Sequence, residues 1–203
     1  MNIAAWMLFV DGENFTLRAQ ELAKQKGLKL TVDPTNYLQD VFVWIPKWHP
    51  LRAPSYSRFF SVENSLGTRA YYYTSVVGDE AKIDSVRHSL RTLGFDPQVF
   101  KKLSGAAKSK GVDIALTKDM LSHAFQDHYT DALLIAGDGD YVPLIAEVKR
   151  FGKRVYVGFF DGPGLGLSEE IRRVADSFVD MSDLFVKTWR ERIEASEEAR
   201  RVR

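Results

Sequence analysis

The order of apolar and polar positions along the chain predicts strands that alternate with helices. Residues 3–10 form one apolar run with the length and composition of a buried strand. Apolar residues at helical spacing follow from Phe15 to Ala23, and Gly27 stands where a left-handed helix cap is expected. A strand that leads directly into a helix is the repeating unit of a parallel sheet.

The same unit recurs towards the end of the chain. Further strands are predicted at residues 68–77, 96–100, 132–136, 154–160 and 177–181. Among the helices between and after them, caps are expected at Gly94, Gly152, Ser168 and Asp183. The pattern predicts an α/β three-layer sandwich with helices on both faces of a mostly parallel sheet. This sheet would have five to six strands in the order of about 3-2-1-4-5.

Residues 28–66 lack this periodicity and are interpreted as an aromatic-rich insertion. Asp33 followed by Pro34 is typical of a helix start within it. The insertion also combines basic and aromatic residues, which are Arg52, Tyr56, Arg58 and Phe59. These aromatics would either form a satellite core beneath a long loop or line a nucleic-acid surface. The chain therefore divides into one domain with this insertion, residues 1–186, and a charged C-terminal helix or tail, residues 187–203.

Composition and charge exclude several functional classes. Apolar residues make up 45% and charged residues 27% of the 203 residues, which is typical of a globular domain. The absence of cysteine excludes disulfides, thiolate catalysis and cysteine zinc sites, and it favours the cytoplasm as the default compartment. No segment approaches the roughly 20 apolar residues of a transmembrane helix, so no membrane partner is expected. A net charge of +1 argues neither for nor against nucleic acid.

Two of the predicted strands are followed by acidic residues. Asp11 follows the first strand and precedes Gly12, a pair that also suits an ordinary turn. Because a helix rather than a second strand comes next, Asp11 is expected at the carboxyl end of its strand, where open α/β sheets bind ligands. Asp138 and Asp140 follow the strand at residues 132–136 in the same way.

The individual acids have structural alternatives. Asp140 alone is adequately explained as a helix cap, whereas Asp138 is not. Asp113 opens the helix after the third strand, so it would either pair with the helix dipole or join an acidic site. A calcium-binding EF-hand loop is excluded because Val142 and Pro143 stand where further ligand positions are needed.

Together the aspartates predict a metal site. In the strand order 3-2-1-4-5 successive strands are added to one side of strand one and then, from strand four on, to its other side. This makes the gap between strands one and four the switch point of the sheet, across which Asp11 would face the pair of Asp138 and Asp140. Asp113 can reach the same crevice. Two carboxylates about 4 Å apart repel by roughly 4 kcal/mol at a surface-like dielectric, and a bound cation removes that cost. Oxygen ligands without cysteine or a nearby histidine pair favour Mg²⁺ or Mn²⁺, ions that support phosphodiester hydrolysis by activating water.

Positive charge collects on the predicted loop before Asp113. The candidate substrate-binding residues there are Lys101, Lys102, Lys108 and Lys110. A run of this kind often forms only a solvated loop. Its place beside the acidic crevice favours contacts with the phosphates of a nucleic acid, and such contacts supply much of the affinity in these complexes.

Three ordered motifs resemble the NYN domain family, in its LabA-like branch of PIN-like nucleases. The matching stretches are FVDGEN at residues 9–14, KGVDIAL at 110–116 and GDGDYVPL at 137–144, and GKRV at 152–155 also fits. The resemblance covers residues 4–27 and 71–182, so it leaves out the insertion and the tail.

This resemblance implies a Rossmann-like PIN-type fold and a ribonuclease activity that depends on Mg²⁺ or Mn²⁺. It also implies acidic metal ligands at Asp11, Asp113, Asp138 and Asp140. Asn14 matches a polar position of the first motif. Ala136 departs from the pattern, since similar sequences often carry Ser there.

These observations lead to a hypothesis and two rivals. We expect a metal-dependent endoribonuclease in which Asp11 and Asp138 are the main metal ligands, with RNA as the substrate and DNA as the alternative. Asp113 and Asp140 would complete the shell directly or through water, and Asn14 would orient water or phosphate. One rival is a catalytically weak or inactive RNA-binding or regulatory module, for which Ala136 leaves room. The other is a small-molecule phosphatase of the haloacid-dehalogenase type, although Glu13 holds the place of its second Asp. A homo-oligomer formed through the insertion or the C-terminal helix is compatible with the sequence.

Overall fold

The computed structural model describes residues 5–28, 37–38, 43–44, 69–92, 94–102 and 111–201. The elements in chain order are β1 (Trp6–Asp11), α1 (Gly12–Gln25), β2 (Tyr37–Leu38), β3 (Val43–Trp44), β4 (Arg69–Val77), α2 (Glu80–Thr92), β5 (Asp96–Lys102), α3 (Val112–Phe125), β6 (Asp131–Ile135), α4 (Val142–Arg150), β7 (Arg154–Phe159), α5 (Glu169–Val174), β8 (Ser177–Asp180) and α6 (Ser182–Arg201). A 3-10 turn, Gly139–Tyr141, leads directly into α4.

The main sheet has six strands in the order β5-β4-β1-β6-β7-β8. Every neighbouring pair in it is parallel. The predicted fold class and strand order are therefore confirmed, with β8 as the sixth, edge strand. β1 lies at the centre, between β4 and β6, which is the position at which the direction of winding changes.

Helices cover both faces of the sheet and bury two separate apolar clusters. One cluster packs α1, α2 and α6 on one face, through residues such as Leu22, Val86 and Phe185. The other packs α3, α4 and α5 on the opposite face, through residues such as Leu116 and Ile145. The central strand β1 is buried along its whole length because both of its faces are covered, which explains its unbroken apolar run.

The helix ends follow the expected caps with one exception. Gly27, Gly94 and Gly152 have φ angles of 62°, 87° and 75°, the left-handed conformation that glycine adopts without strain. The Ser168 side chain caps α5 by accepting a hydrogen bond from the backbone N–H of Glu170 at 3.2 Å. The prediction that Asp183 caps α6 is wrong, because the helix begins one residue earlier and Asp183 lies within its first turn.

Strand β5 is longer than the sequence predicts. The predicted strand ended at residue 100, but Lys101 and Lys102 continue the ladder opposite Val76 and Val77 of β4. These two lysines therefore belong to a strand and not to the loop before Asp113. Pairing of the whole of β5 with residues 71–77 of β4 outweighs the low strand propensity of lysine.

Little of the insertion falls within the described residues. β2 and β3 pair as an antiparallel two-stranded sheet, with Tyr37 opposite Trp44. The predicted helix start at Asp33 and the residues Arg52, Tyr56, Arg58 and Phe59 lie outside the described ranges. The proposed boundary at residues 186–187 falls inside the continuous helix α6. Over the part of the chain that the structure describes, every helix is too short or too polar to cross a membrane.

Candidate active site

Asp11 ends the central strand and begins the first helix. Its carboxylate oxygen Oδ1 accepts a hydrogen bond from the backbone N–H of Asn14 at 3.0 Å, so the side chain caps α1. Gly12 permits this tight transition, because a Cβ there would stand 2.0 Å from the Tyr72 ring. As a result Asp11 is only 4% exposed, at the carboxyl end of its strand. The cap agrees with the turn-like interpretation of this residue, and its place at the strand end is the one expected of a ligand-binding residue. Its role as a ligand stays a prediction.

A buried tyrosine brings Asp11 and Asp113 together. The hydroxyl of Tyr141 lies 2.9 Å from Asp11 Oδ2 and 3.1 Å from Asp113 Oδ1. The two carboxylates come from β1 and from the first turn of α3. The fold therefore brings both within hydrogen-bonding distance of the same hydroxyl oxygen. A hydroxyl carries a single proton, which it donates to one of them at a time.

Burial governs the protonation of Asp11. Removal of the carboxylate from water raises the pKa of Asp11 to about 7, because burial penalises its charged form. The hydrogen bonds from Asn14 and Tyr141 act in the opposite direction. The nearby negative charge of Asp113 raises the pKa further. Without a cation, Asp11 is therefore a weaker acid than an ordinary aspartate.

The pKa of Asp113 is raised by burial and by the other acids at this edge of the sheet. Burial is the main cause that raises the pKa of Asp113, and the hydrogen bond from Tyr141 opposes it. The negative charges of Asp138, Glu13 and Asp140 raise the pKa of Asp113 as well. The predicted aspartates hence form one electrostatic group. We call the four residues Asp11, Asp113, Asp138 and Asp140 the acidic edge.

Asp138 and Asp140 occupy a different environment from Asp11. Both are exposed. The Asp138 side chain accepts a hydrogen bond from the backbone N–H of Asp140 at 3.1 Å and caps the 3-10 turn. The expectation that Asp140 is the cap and Asp138 is not is therefore wrong. The assignment is reversed because the extended backbone at Asp138, with φ of −76° and ψ of 131°, is the one suited to a cap.

Asn14 connects the two sides of the switch point. Its backbone N–H binds Asp11, and its side-chain oxygen accepts a hydrogen bond from the backbone N–H of Gly137 at 3.2 Å. Gly137 itself must be glycine, since a Cβ there would stand 2.3 Å from the Phe159 ring. The contacts show Asn14 as a structural link between α1 and the turn after β6. Its role in orienting water or phosphate stays a prediction.

An ion pair that the sequence did not predict flanks the acidic edge. The Glu13 carboxylate accepts a hydrogen bond from the Ser75 hydroxyl at 2.6 Å and is paired with the ammonium group of Lys102. Lys102 is only 6% exposed, so it faces Glu13 within the protein and not a solvated loop. Lys101 is exposed at the end of β5. Lys108 and Lys110 lie outside the described residues.

The donors present suit a hard divalent cation that keeps much of its water. Asp11 and Asp113 offer carboxylate oxygens within hydrogen-bonding distance of one common atom. Mg²⁺ is commonly bound through one or two carboxylates together with water and substrate phosphates. Within the described ranges, no group of three or more His, Asp or Glu side chains is placed to hold a metal ion. The fit therefore concerns this pair of carboxylates, with the rest of the shell left to water.

Sequence reasoning missed Tyr141 and Ser75, and it missed the pairing of Glu13 with Lys102. Tyr141 directly follows Asp140, and in the sequence it cannot be told from an aromatic residue that only packs the core. In the structure it is 2% exposed, as such a residue would be. The one hint of a role at the site was that a tyrosine, unlike a phenylalanine, carries a hydroxyl that needs a hydrogen-bond partner when buried. The contact between Glu13 and Lys102 joins residues 89 positions apart, which a local pattern does not reveal.

The fold and the acidic edge define a Rossmann-like α/β protein with the nuclease-like fold of the PIN-like class. A family model described as the NYN domain matches residues 5–183, and the chain belongs to this family. NYN domains are typically nucleases, which makes a hydrolase the expected kind of enzyme, and PIN-like nucleases generally use divalent metal ions. Membership of the LabA-like branch stays a prediction.

A solved structure supports the fold alone. The chain is similar to a protein of unknown function from Vibrio parahaemolyticus, with a TM-score of 0.53 and 20% sequence identity. The similarity covers 89% of this chain and 95% of that chain. No curated protein matches this sequence.

Proposed function

We propose that this chain is a metal-dependent endoribonuclease that hydrolyses RNA phosphodiester bonds at the acidic edge. The observation that carries the proposal is the meeting of Asp11 and Asp113 on the Tyr141 hydroxyl, at the switch point of an NYN domain. Two acids from separate elements at this place are expected where a ligand binds, because open α/β sheets bind their ligands there.

The residues have distinct roles in this proposal. Asp11 and Asp113 would hold Mg²⁺ or Mn²⁺ directly, and the exposed Asp138 and Asp140 would act through bound water. When bound, the ion would activate a water molecule and stabilise the departing oxygen. Lys101 and the two lysines at positions 108 and 110 would contact the phosphates of RNA. Lys102 would neutralise the negative charge of Glu13, which lies beside the acidic edge.

The test is a cleavage assay with single-stranded RNA and DNA oligonucleotides, with added Mn²⁺ or Mg²⁺ and a chelator control. We expect the wild type to cut RNA internally and to stop when the chelator is added. Asp11→Asn should lower the rate about 1,000-fold, equivalent to about 4 kcal/mol of transition-state stabilisation. The matched control is Asp84→Asn, which changes an exposed acid of α2 that is paired with Arg87. Equal rates for the two variants contradict the proposal.

Ala136 favours a second candidate, an RNA-binding or regulatory module with little turnover. This residue is fully buried in an apolar cluster at the position where similar sequences often carry a hydroxyl. In that case RNA would bind in the presence of metal without being cut, and Ala136→Ser would raise the cleavage rate. Cleavage by the wild type at the rate expected of an enzyme, lost in Asp11→Asn, excludes this candidate.

A further inference from the structure

Tyr141 is held in the protein interior through both its ring and its backbone. Its ring is buried in the apolar cluster formed with α3 and α4, and its backbone N–H binds the carbonyl of Asp138 at 3.3 Å. The 3-10 turn that carries it is capped by the Asp138 side chain. The hydroxyl therefore lies at the edge of a packed core whose local backbone is hydrogen-bonded.

Asp11 and Asp113 depend on this hydroxyl to different degrees. Asp11 is buried and is held from a second direction by the backbone N–H of Asn14. Asp113 is exposed in the first turn of α3, where the side chain of a surface residue samples several rotamers. Its contact with Tyr141 at 3.1 Å draws it towards Asp11 and away from solvent.

We propose that Tyr141 is a positioning residue for the metal site, whose hydroxyl holds Asp113 beside Asp11 so that both carboxylates are presented to one divalent cation. This inference rests on the metal dependence in the proposed function. Hydrogen bonds from a second shell fix the orientation of ligands and thereby raise the affinity for the metal. A hydroxyl suits the task because it contributes no positive charge that would compete with the cation.

Tyr73 provides a matched control in the same cluster. It is fully buried, and its hydroxyl donates a hydrogen bond to a carboxylate of α3, Asp119 Oδ2, at 3.1 Å. Tyr73→Phe and Tyr141→Phe thus remove the same atom from similar surroundings. Only the second removal concerns the acidic edge, and phenylalanine keeps the ring that packs the core in both variants.

The experiment measures Mn²⁺ affinity of the full chain by titration calorimetry or by the electron paramagnetic resonance of free Mn²⁺. Tyr141→Phe should weaken binding roughly 10- to 100-fold, the usual loss when a second-shell partner is removed. Tyr73→Phe should stay within about twofold of the wild type. At saturating Mn²⁺ the RNA cleavage rate of Tyr141→Phe should recover, because its defect lies in holding the ligand.

A double-mutant cycle identifies the side chain through which Tyr141 acts. If Tyr141 positions Asp113, then adding Tyr141→Phe to Asp113→Asn should weaken Mn²⁺ binding by less than twofold more. Additive losses would show that Tyr141 acts elsewhere and would overturn the inference. Wild-type Mn²⁺ affinity in Tyr141→Phe would overturn it as well.

The outcomes separate this inference from the proposed function. If the wild type binds Mn²⁺ and the variants behave as expected but RNA is not cut, the positioning role stands and the endoribonuclease falls. If RNA is cut but Tyr141→Phe binds Mn²⁺ as tightly as Tyr73→Phe does, the endoribonuclease stands and the positioning role falls. A wild type that binds no Mn²⁺ overturns both.

Discussion

The acidic edge has two sides that carry the same residue type in different surroundings. On the β1 side, Asp11 is 4% exposed and is held by a backbone N–H and a buried hydroxyl. On the β6 side, Asp138 and Asp140 are exposed, and Asp138 caps a 3-10 turn. The β1 side concentrates negative charge where water is scarce, whereas the β6 side keeps its charge in solvent.

This difference shows which acid depends most on a cation. A buried carboxylate loses its hydration, so a bound cation relieves a cost there that exposed carboxylates do not have. We therefore expect the β1 side to determine metal affinity. The β6 side should contribute local structure and long-range charge. Three predictions test this contrast, in order of decreasing effect.

The largest effect is expected for Asp11→Asn in metal-free protein. The folded pKa of Asp11, about 7, lies above its ordinary value of 3.8, so folding favours the protonated carboxyl. That contribution to stability is complete below about pH 4 and is lost as the pH rises through 7. Asparagine keeps the cap without the charge, so it should raise the free energy of unfolding by up to about 4 kcal/mol at pH 8.

Urea denaturation in the presence of a chelator at pH 8 and at pH 4 measures this gain, which should vanish at pH 4. Asp140→Asn is the control, and its effect should stay within about 1 kcal/mol, as for an exposed acid near a helix start. An equal gain in the two variants at pH 8 would remove the contrast between the two sides.

An intermediate effect is expected for Lys102→Met. This change leaves the Glu13 carboxylate without its buried partner and should lower the free energy of unfolding by about 3 kcal/mol, the range for breaking a buried pair. Lys101→Met removes the adjacent exposed charge and should change stability by less than about 0.5 kcal/mol. Lys101→Met should instead weaken RNA binding, and the slope of log affinity against log salt concentration should decrease in magnitude by about 1. The opposite assignment of the two effects would mean that Lys102 contacts RNA.

The smallest effect is expected on the β6 side. Asp138→Ala removes the cap of the 3-10 turn and should cost about 1 kcal/mol of unfolding free energy, whereas Asp138→Asn keeps the cap and should cost a few tenths. Denaturation measures the cap, and Mn²⁺ affinity measures the charge. Equal loss of metal affinity in both variants together with unequal stability would separate the two roles of Asp138.

The fold could be predicted because its signals are local. β1 and β6 are buried on both faces, so each appears as an unbroken apolar run, and the glycines after α1, α2 and α4 mark helix ends through their left-handed φ angles. Alternation and handedness restrict the strand order to a few doubly wound arrangements, and the predicted order is a common one of these. These features require no knowledge of distant contacts.

The site could be predicted only in part. Asp11 and the Asp138 turn were found because strand ends are visible in the sequence. The cap assignment failed because it depends on the backbone dihedrals at Asp138, and Lys102 was misplaced because its partner lies 89 residues away. Tyr141 was missed for the same reason, since its contact with Asp11 spans 130 residues.

That span has a consequence for how the protein is made. Tyr141 is synthesised 130 residues after Asp11, and Gly137 is synthesised 123 residues after its partner Asn14. Contacts between such distant segments form late and slow the folding reaction. A nascent chain that has not yet delivered β6 and the turn after it therefore lacks the assembled acidic edge. If the proposed cleavage of RNA is observed, it would report that the chain has folded at least through the turn after β6.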